Sequence, residues 1–357
     1  MGSLLAYSGI STKIRSMRSQ ILTDREFEQI AQLATVNEAA EFLRKKPVFN
    51  EVFSEAGEHT LHRGTIEKLL FFTEYHDFVK LYRFAGVQLR EYLKLYFMEY
   101  ERTFLKSVVR SIIEQRESEI QIASLGEFFK KHASFSSEMA AKARTMEELM
   151  QALYHSPYYA QLHPIKEQGG TLFDYEMALD SYVITKTWKE QKKRFQGEAC
   201  ETLCRTYGYQ IDLLNLIWIY RSKKYYKLST AEIYGILLPV YYKLNKATVS
   251  ELVEASSLEE FQTLVDHTYY GRKYGGRFEI EEDRFYLEGI YYALLYHIHN
   301  QEFQKHPFSV AALNSYLYMK RLETQRLVTT IEGIRYGLPP QTIIEHERRY
   351  HLEVLNR

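Results

Sequence analysis

His346-Glu347-Arg348-Arg349-Tyr350-His351 is the stretch that comes nearest to a zinc-protease signature. Its histidines are five positions apart, about 140° around a helix, so both rings cannot readily face one ion, and a solvated terminal helix is the expectation. Gly271-Arg272-Lys273-Tyr274-Gly275-Gly276 offers glycines and bases, yet it lacks the Gly-Lys-Ser/Thr that grips phosphates and reads as an ordinary turn. Cys200 and Cys204 are spaced to share a helix face. With no His or Cys cluster nearby in sequence they read as two small buried side chains. His297 and His299, among Tyr291, Tyr292, Leu294, Leu295 and Tyr296, read as polar tips at the edge of an aromatic core. No nucleophile, base and oxyanion donor assemble anywhere, so no catalytic, cofactor-binding or metal-binding residue is assigned.

The charged residues carry a different signal. Forty-six basic and 46 acidic side chains cancel over 357 residues. There is no bulk field to draw in nucleic acid, and an electrostatic partner must be met by a local patch. The basic runs Arg44-Lys45-Lys46, Lys189 to Arg194 and Arg221 to Lys224 read first as solvated helix faces. Their second reading is contact with an acidic partner or anionic lipid heads. More specific is a signature that recurs: an apolar residue, an acid, two variable residues, Arg or Asn, and an apolar residue two further on. It appears as Met98-Glu99 with Arg102 and Phe104, Ile211-Asp212 with Asn215 and Ile217, and Leu322-Glu323 with Arg326 and Val328. Glu99, Arg102, Asp212, Asn215, Glu323 and Arg326 are therefore the candidate interface or structural residues. The bland role is orientation between helices, with Glu99/Arg102 and Glu323/Arg326 as helix-surface pairs, and the functional role is a partner contact.

These acids follow three matching helix starts at a nearly constant separation of about 65 residues. In each start a Ser or Thr precedes a Glu by three positions ahead of an apolar run: Thr35/Glu38, Thr145/Glu148 and Ser257/Glu260. That is the capping box, in which the hydroxyl accepts a backbone N–H and the Glu reaches back to the cap. The even spacing of the boxes implies one unit of about 110 residues used three times. A second box precedes each, at Thr23/Glu26, Ser124/Glu127 and Ser229/Glu232, with the gap between boxes widening from copy to copy. Pro47 and Pro157 fall twelve after their caps, where they end or bend a helix. A glycine loop follows each capped helix, at Ser54 to Gly57, Gln168 to Gly170 and Tyr274 to Gly276. Long helices come next, shown by Leu69, Phe72 and Tyr75 three apart and by Tyr92, Tyr96 and Tyr100 four apart.

The expected units are residues 1–118, 119–226 and 227–357, with boundaries near Glu117 to Gln121 and Ser222 to Leu228. Gly333, Gly337, Pro339 and Pro340 close the third, and a charged helix from Thr342 to Leu355 follows. No Asn-Gly or Asp-Gly hairpin turn competes, so the fold class is all-α. No signal peptide is expected at the amino terminus, and no uninterrupted apolar run is long enough to suggest a membrane span. Two cysteines suit a reducing, cytoplasmic compartment.

With these units in place, the chain resembles the C-subunit family of archaeal-type and bacterial V-type ATPases and ATP synthases, whose eukaryotic relative is the d subunit. The resemblance rests on Tyr7 and Lys13-Ile14-Arg15-Ser16-Met17-Arg18, on Tyr209 to Leu216 with Asp212 and Asn215, and on Tyr316 to Leu327 with Glu323 and Arg326, leading to Gly333. It covers essentially the whole chain. It implies a funnel of three similar helical lobes about a pseudo-threefold axis. It also implies a non-catalytic central-stalk subunit without cofactor, seated peripherally on the cytoplasmic face of the membrane rotor ring. The implied partners are that ring and the central-shaft subunits, with no nucleic acid and no direct membrane span. The alternative is a helical-repeat scaffold or adaptor unrelated to rotary ATPases.

Overall fold

The computed structural model describes residues 2–55, 63–116, 122–274 and 287–348. Among them there is no strand, and the helices follow an order that repeats. The first six are α1 Gly2–Arg18, α2 Asp24–Ala31, α3 Val36–Arg44, α4 Pro47–Glu55, α5 Arg63–Phe84 and α6 Val87–Ile113. The next six are α7 Ile122–His132, α8 Ser137–Lys142, α9 Met146–Leu153, α10 Tyr159–Glu167, α11 Leu172–Arg194 and α12 Gly197–Arg221. A π-helical turn, Ser222–Tyr226, prolongs α12 and ends at Lys227 in the left-handed region with φ 52°. Then come α13 Thr230–Ile236, α14 Lys246–Glu254, α15 Leu258–Asp266, α16 Tyr269–Tyr274, α17 Leu287–Lys305 and α18 Val310–Arg335, before α19 Pro340–Arg348.

Lengths recur with the order. The third helix of each set has 9, 8 and 9 residues, the fifth 22, 23 and 19, and the sixth 27, 25 and 26. The chain also divides into two compact units, Met1–Val183 with Tyr316–Ile344, and Ile184–Ser315 with Glu345–Arg357. The three breaks fall inside helices, in α11, α18 and α19.

The three anchor caps form as the spacing predicts. Thr35, Thr145 and Ser257 accept the N–H of Glu38, Glu148 and Glu260 at 3.2, 3.2 and 3.1 Å. The returning glutamates depart from the simple box in the same way each time. Each accepts the N–H of the residue before the cap, Ala34, Arg144 or Ser256, at 3.0, 2.7 and 2.6 Å. Pro47 opens α4, and Pro157 lies in the turn between α9 and α10, so both mark helix ends.

One of the expected upstream boxes is absent. Thr23 and Ser229 cap with Glu26 and Glu232, but Gly126 takes φ 66°, ψ −171° inside α7 and interrupts the turn that Ser124 would have started. Glu127 pairs instead with Lys130 at 3.0 Å. The helices that precede the anchors in parallel are α2, α8 and α14, with Thr23, Ser136 and Asn245 at their N-cap positions; Thr23 and Asn245 accept a first-turn N–H, and Ser136 makes no side-chain cap bond. These caps precede Thr35, Thr145 and Ser257 by similar short separations, so the widening gap disappears. Ser229 starts α13, the first helix of the third set.

The core follows helical spacing. Ile10, Ile14 and Met17 line the buried stripe of α1, and Leu69, Phe72, Tyr75, Tyr92, Tyr96 and Tyr100 are all buried. Around Phe78 the rings of Tyr75, Tyr96, Phe97, Tyr100 and Phe128 gather within 6.5 Å between centroids, which lets α5, α6 and α7 share one aromatic centre. Ala56-Gly57, Gly275-Gly276, the boundary at Glu117 to Gln121, and His351 with the expected tail to Leu355 lie outside the described residues.

Candidate functional site: three carboxylate clasps

Asp212 shows what the recurring acid does. It sits on α12 and is 1% exposed. Its carboxylate accepts the backbone N–H groups of Tyr242, Lys243 and Leu244 at 3.1, 2.6 and 3.0 Å, and the Tyr270 hydroxyl at 3.0 Å. The three N–H groups come from the irregular segment just ahead of the Asn245 cap of α14, where no helix or sheet satisfies them. Burial pushes the Asp212 pKa up, and the backbone donors oppose that shift. Asn215, one turn on, holds the Leu238 backbone from both sides, donating to its carbonyl at 3.1 Å and accepting its N–H at 2.9 Å. Leu238 is thereby set into a cluster with Ile184, Trp188, Ile211 and Val240.

Glu323 on α18 makes a similar junction. It accepts the Leu22 N–H at 2.7 Å, one residue before the Thr23 cap of α2, and the Lys320 ammonium at 2.6 Å. Lys320 is 2% exposed and stands 4.6 Å from the centre of the buried Phe49 ring. Arg326 lays its guanidinium 3.8 Å from the Phe27 ring and donates to Asp24 at 3.1 Å. The acid and the Arg of the motif thus give α2 two tethers at its start.

In α6 the matching residue is Glu101, which the sequence pattern passed over. Glu101 accepts the Ser134 N–H at 2.5 Å, two residues before the Ser136 cap of α8, and the Tyr158 hydroxyl at 2.9 Å. Burial pushes its pKa up as well, against those hydrogen bonds. The missed signal was spacing. Glu101 follows Thr35 by as many positions as Glu323 follows Ser257, and Asp212 follows Thr145 by only one more, whereas Glu99 falls two short. The buried aromatic is Tyr158 on Glu101 and Tyr270 on Asp212, while at the third junction Phe49 meets Lys320, the partner of Glu323.

Glu99 and Arg102, the residues the pattern did select, take another place. Glu99 is buried and binds Arg102 at 2.5 Å and Arg321 at 3.1 Å. Burial raises its pKa, but Arg102 and Arg321 outweigh burial and hold the carboxyl below its ordinary value. Arg321 also reaches Glu74 at 3.4 Å. There burial dominates, and the Glu74 pKa is raised.

These charges belong to a second recurring contact, from a sixth helix to the fifth helix of the following set. Lys106 and Arg110 of α6 meet Asp180 and Glu176 of α11 at 2.6 and 2.5 Å. Arg205 and Thr202 of α12 meet Glu302 of α17 at 2.8 and 2.9 Å. Arg321 and Tyr316 of α18 meet Glu74 and Asp77 of α5, the latter at 2.7 Å. Each sixth helix therefore fixes both a helix start and a long helix of the set that follows, with the third returning to the first.

Chemically these are structural sites, each carboxylate oxygen holding a donor from another part of the fold or from its own helix. Asp212 engages four donors, three on Oδ2 and one on Oδ1, while Glu101 and Glu323 each engage two. The basic runs are also partly consumed by structure. Arg44 pairs with Glu41, Arg194 with Glu190, and Lys223 donates to the Val253 and Ala255 carbonyls at 2.7 Å each. Among the described residues no group of three or more His, Cys, Asp or Glu side chains is placed to hold a metal. None of the helices among them is long and apolar enough to cross a membrane.

Comparison with known proteins matches residues 10–346 to a family described as ATP synthase (C/AC39) subunit. The C subunit of the A-type ATP synthase of Thermococcus kodakarensis is 24% identical over 343 residues, covering 95% of this chain and 89% of that protein. Its counterpart from Desulfurococcus sp. is 23% identical over 346 residues, with 95% and 90% covered. That of Methanosarcina acetivorans is 25% identical over 232 residues, with 61% and 59% covered.

Proposed function

The chain belongs to the ATP synthase (C/AC39) subunit family, and from that premise we propose that it is a non-catalytic central-stalk subunit of a rotary ATPase. It couples the central shaft to the membrane rotor ring and performs no phosphate chemistry of its own. It works on the inner face of the cell membrane as a peripheral part of the complex, with shaft subunits and ring as partners. The observation that carries the reading is the series of buried clasps at Glu101, Asp212 and Glu323, each tying a long helix to the segment that leads into a helix of the next set.

A torque-bearing part needs stiffness along its load path. Held helix starts supply it, because the first-turn N–H groups of an unsatisfied terminus would otherwise fray. Buried carboxylates that each hold at least one backbone N–H resist sliding between helices, since any slip leaves charge and N–H groups unpaired. The same features support three modules, 1–118, 119–226 and 227–357, holding α1–α6, α7–α12 and α13–α19 respectively. A scaffold unrelated to rotary ATPases has no comparable support, given family membership over most of the chain.

The experiment is binding of the purified chain to separately purified shaft subunits and rotor ring. Association with both is expected. Association with neither removes the proposal.

A further inference from the structure

Cys200 and Cys204 stand one turn apart on α12, both half-buried, with their sulfurs 3.5 Å apart. Cys204 packs against the cluster of Ile184, Trp188, Ile211, Leu238 and Val240, where the Lys192 ammonium lies 4.1 Å from the Trp188 ring centre. Burial, then the hydrogen bond with Cys200, pushes the Cys204 thiol up to about 12.

The backbone decides what the pair can bind. Cβ atoms four apart on a helix are about 5–6 Å from each other, wider than the roughly 3.5–4.5 Å that a disulfide spans. Oxidation would require α12 to unwind. Two thiolates sharing one tetrahedral ion at bonds of about 2.3 Å lie about 3.8 Å apart, close to the spacing already present. We propose that Cys200 and Cys204 form a chelating site for one thiophilic ligand, a soft divalent cation or a trivalent arsenical, and that its occupancy is felt at the Asp212 clasp.

The second half follows from the α12 face. Cys204, Gly208 and Asp212 recur at four-residue intervals and share one side of the helix. The Tyr242 ring lies directly on this side: a Cβ added at Gly208 would stand 2.3 Å from its Cγ. Tyr242 also packs with Cys204 on the Trp188 cluster and donates its N–H to Asp212. A ligand seated on the sulfurs therefore abuts the segment that Asp212 holds.

Phenylarsine oxide is the probe. Its arsenic–oxygen bond breaks, two arsenic–sulfur bonds form, and both thiol protons leave with the oxygen as water. Arsenic stays trivalent, and nothing is oxidised. Titration of the full chain should consume both thiols with one equivalent and give a single-adduct mass, released by a dithiol but not by a monothiol. Cys200→Ser and Cys204→Ser should each weaken binding by about 10²-fold or more, the gain expected from linking two contacts. Hydrogen exchange at the Tyr242, Lys243 and Leu244 amides should change on binding in the unaltered chain and stay constant in Cys204→Ser. A requirement for two equivalents, release by a monothiol, or unchanged binding in either variant overturns the site. One-to-one binding without any change at those amides overturns the coupling to Asp212.

Discussion

Leu22 donates its backbone N–H to the Glu323 carboxylate at 2.7 Å, although the two residues lie near opposite ends of the sequence. Helix α2, near the amino terminus, is in this way held by α18, near the carboxyl end. The bond is closed from the other side by Lys320, buried against Phe49. At the other two clasps a tyrosine hydroxyl occupies that place.

Removing the Glu323 charge leaves the Lys320 ammonium buried without its closest partner. Glu323→Ala is expected to destabilise the chain by about 3–5 kcal/mol, the usual result of breaking one side of a buried pair. Lys320→Met, which leaves Glu323 buried and still bound to Leu22, should cost less than Glu323→Ala. Denaturant midpoints of the two variants measure this, and an unchanged midpoint for Glu323→Ala contradicts the clasp.

Tyr158 and Tyr270 each give one hydroxyl to a buried carboxylate. Tyr158→Phe and Tyr270→Phe should each lose about 1.5–3 kcal/mol, the range for hydrogen bonds to charged groups. In a double-mutant cycle with Glu101→Gln, Tyr158→Phe should show clear coupling, whereas Tyr270→Phe with Glu101→Gln should be additive. Coupling of the second pair would mean that the acids have been matched to the wrong aromatics.

The caps make a paired prediction. Thr145→Ala should cost about 1 kcal/mol, the ordinary penalty for a lost N-cap, while Ser124→Ala should stay within about 0.5 kcal/mol, as for a surface site without a role. Equal losses would restore the Ser124 box that Gly126 interrupts.

Much of this was legible in the residues, and the failures have physical causes. The anchor caps, the long aromatic-faced helices and the acids Asp212 and Glu323 could be read because capping and helical periodicity act locally. Glu101 was missed because the pattern demanded Arg or Asn three residues on, and in α6 that position is Phe104, which packs on Phe129 and Phe135. Ser124/Glu127 satisfied the capping pattern, but the positive φ of Gly126 overrode it. No local rule connects Leu22 with Glu323, because the bond depends on tertiary packing alone.

His299 supplies the pH dependence. It is fully buried, and burial lowers its pKa to about 3. The unfolded chain, with an ordinary histidine near about 6.5, binds the additional proton between those values. Stability is therefore intact above about pH 6.5 and falls as pH drops toward 3, by up to about 1.4 kcal/mol per pH unit for this residue. A His299→Leu variant should show a shallower acid-side slope in stability measured from neutral pH down to mildly acidic pH. Parallel slopes would contradict a neutral buried imidazole.

The most direct measurement compares ATP-driven ion transport with ATP hydrolysis in the reconstituted rotary complex, with and without this chain. A coupling role predicts that its omission abolishes transport while hydrolysis persists, and that adding it back restores transport. Transport at full rate in its absence would contradict that role.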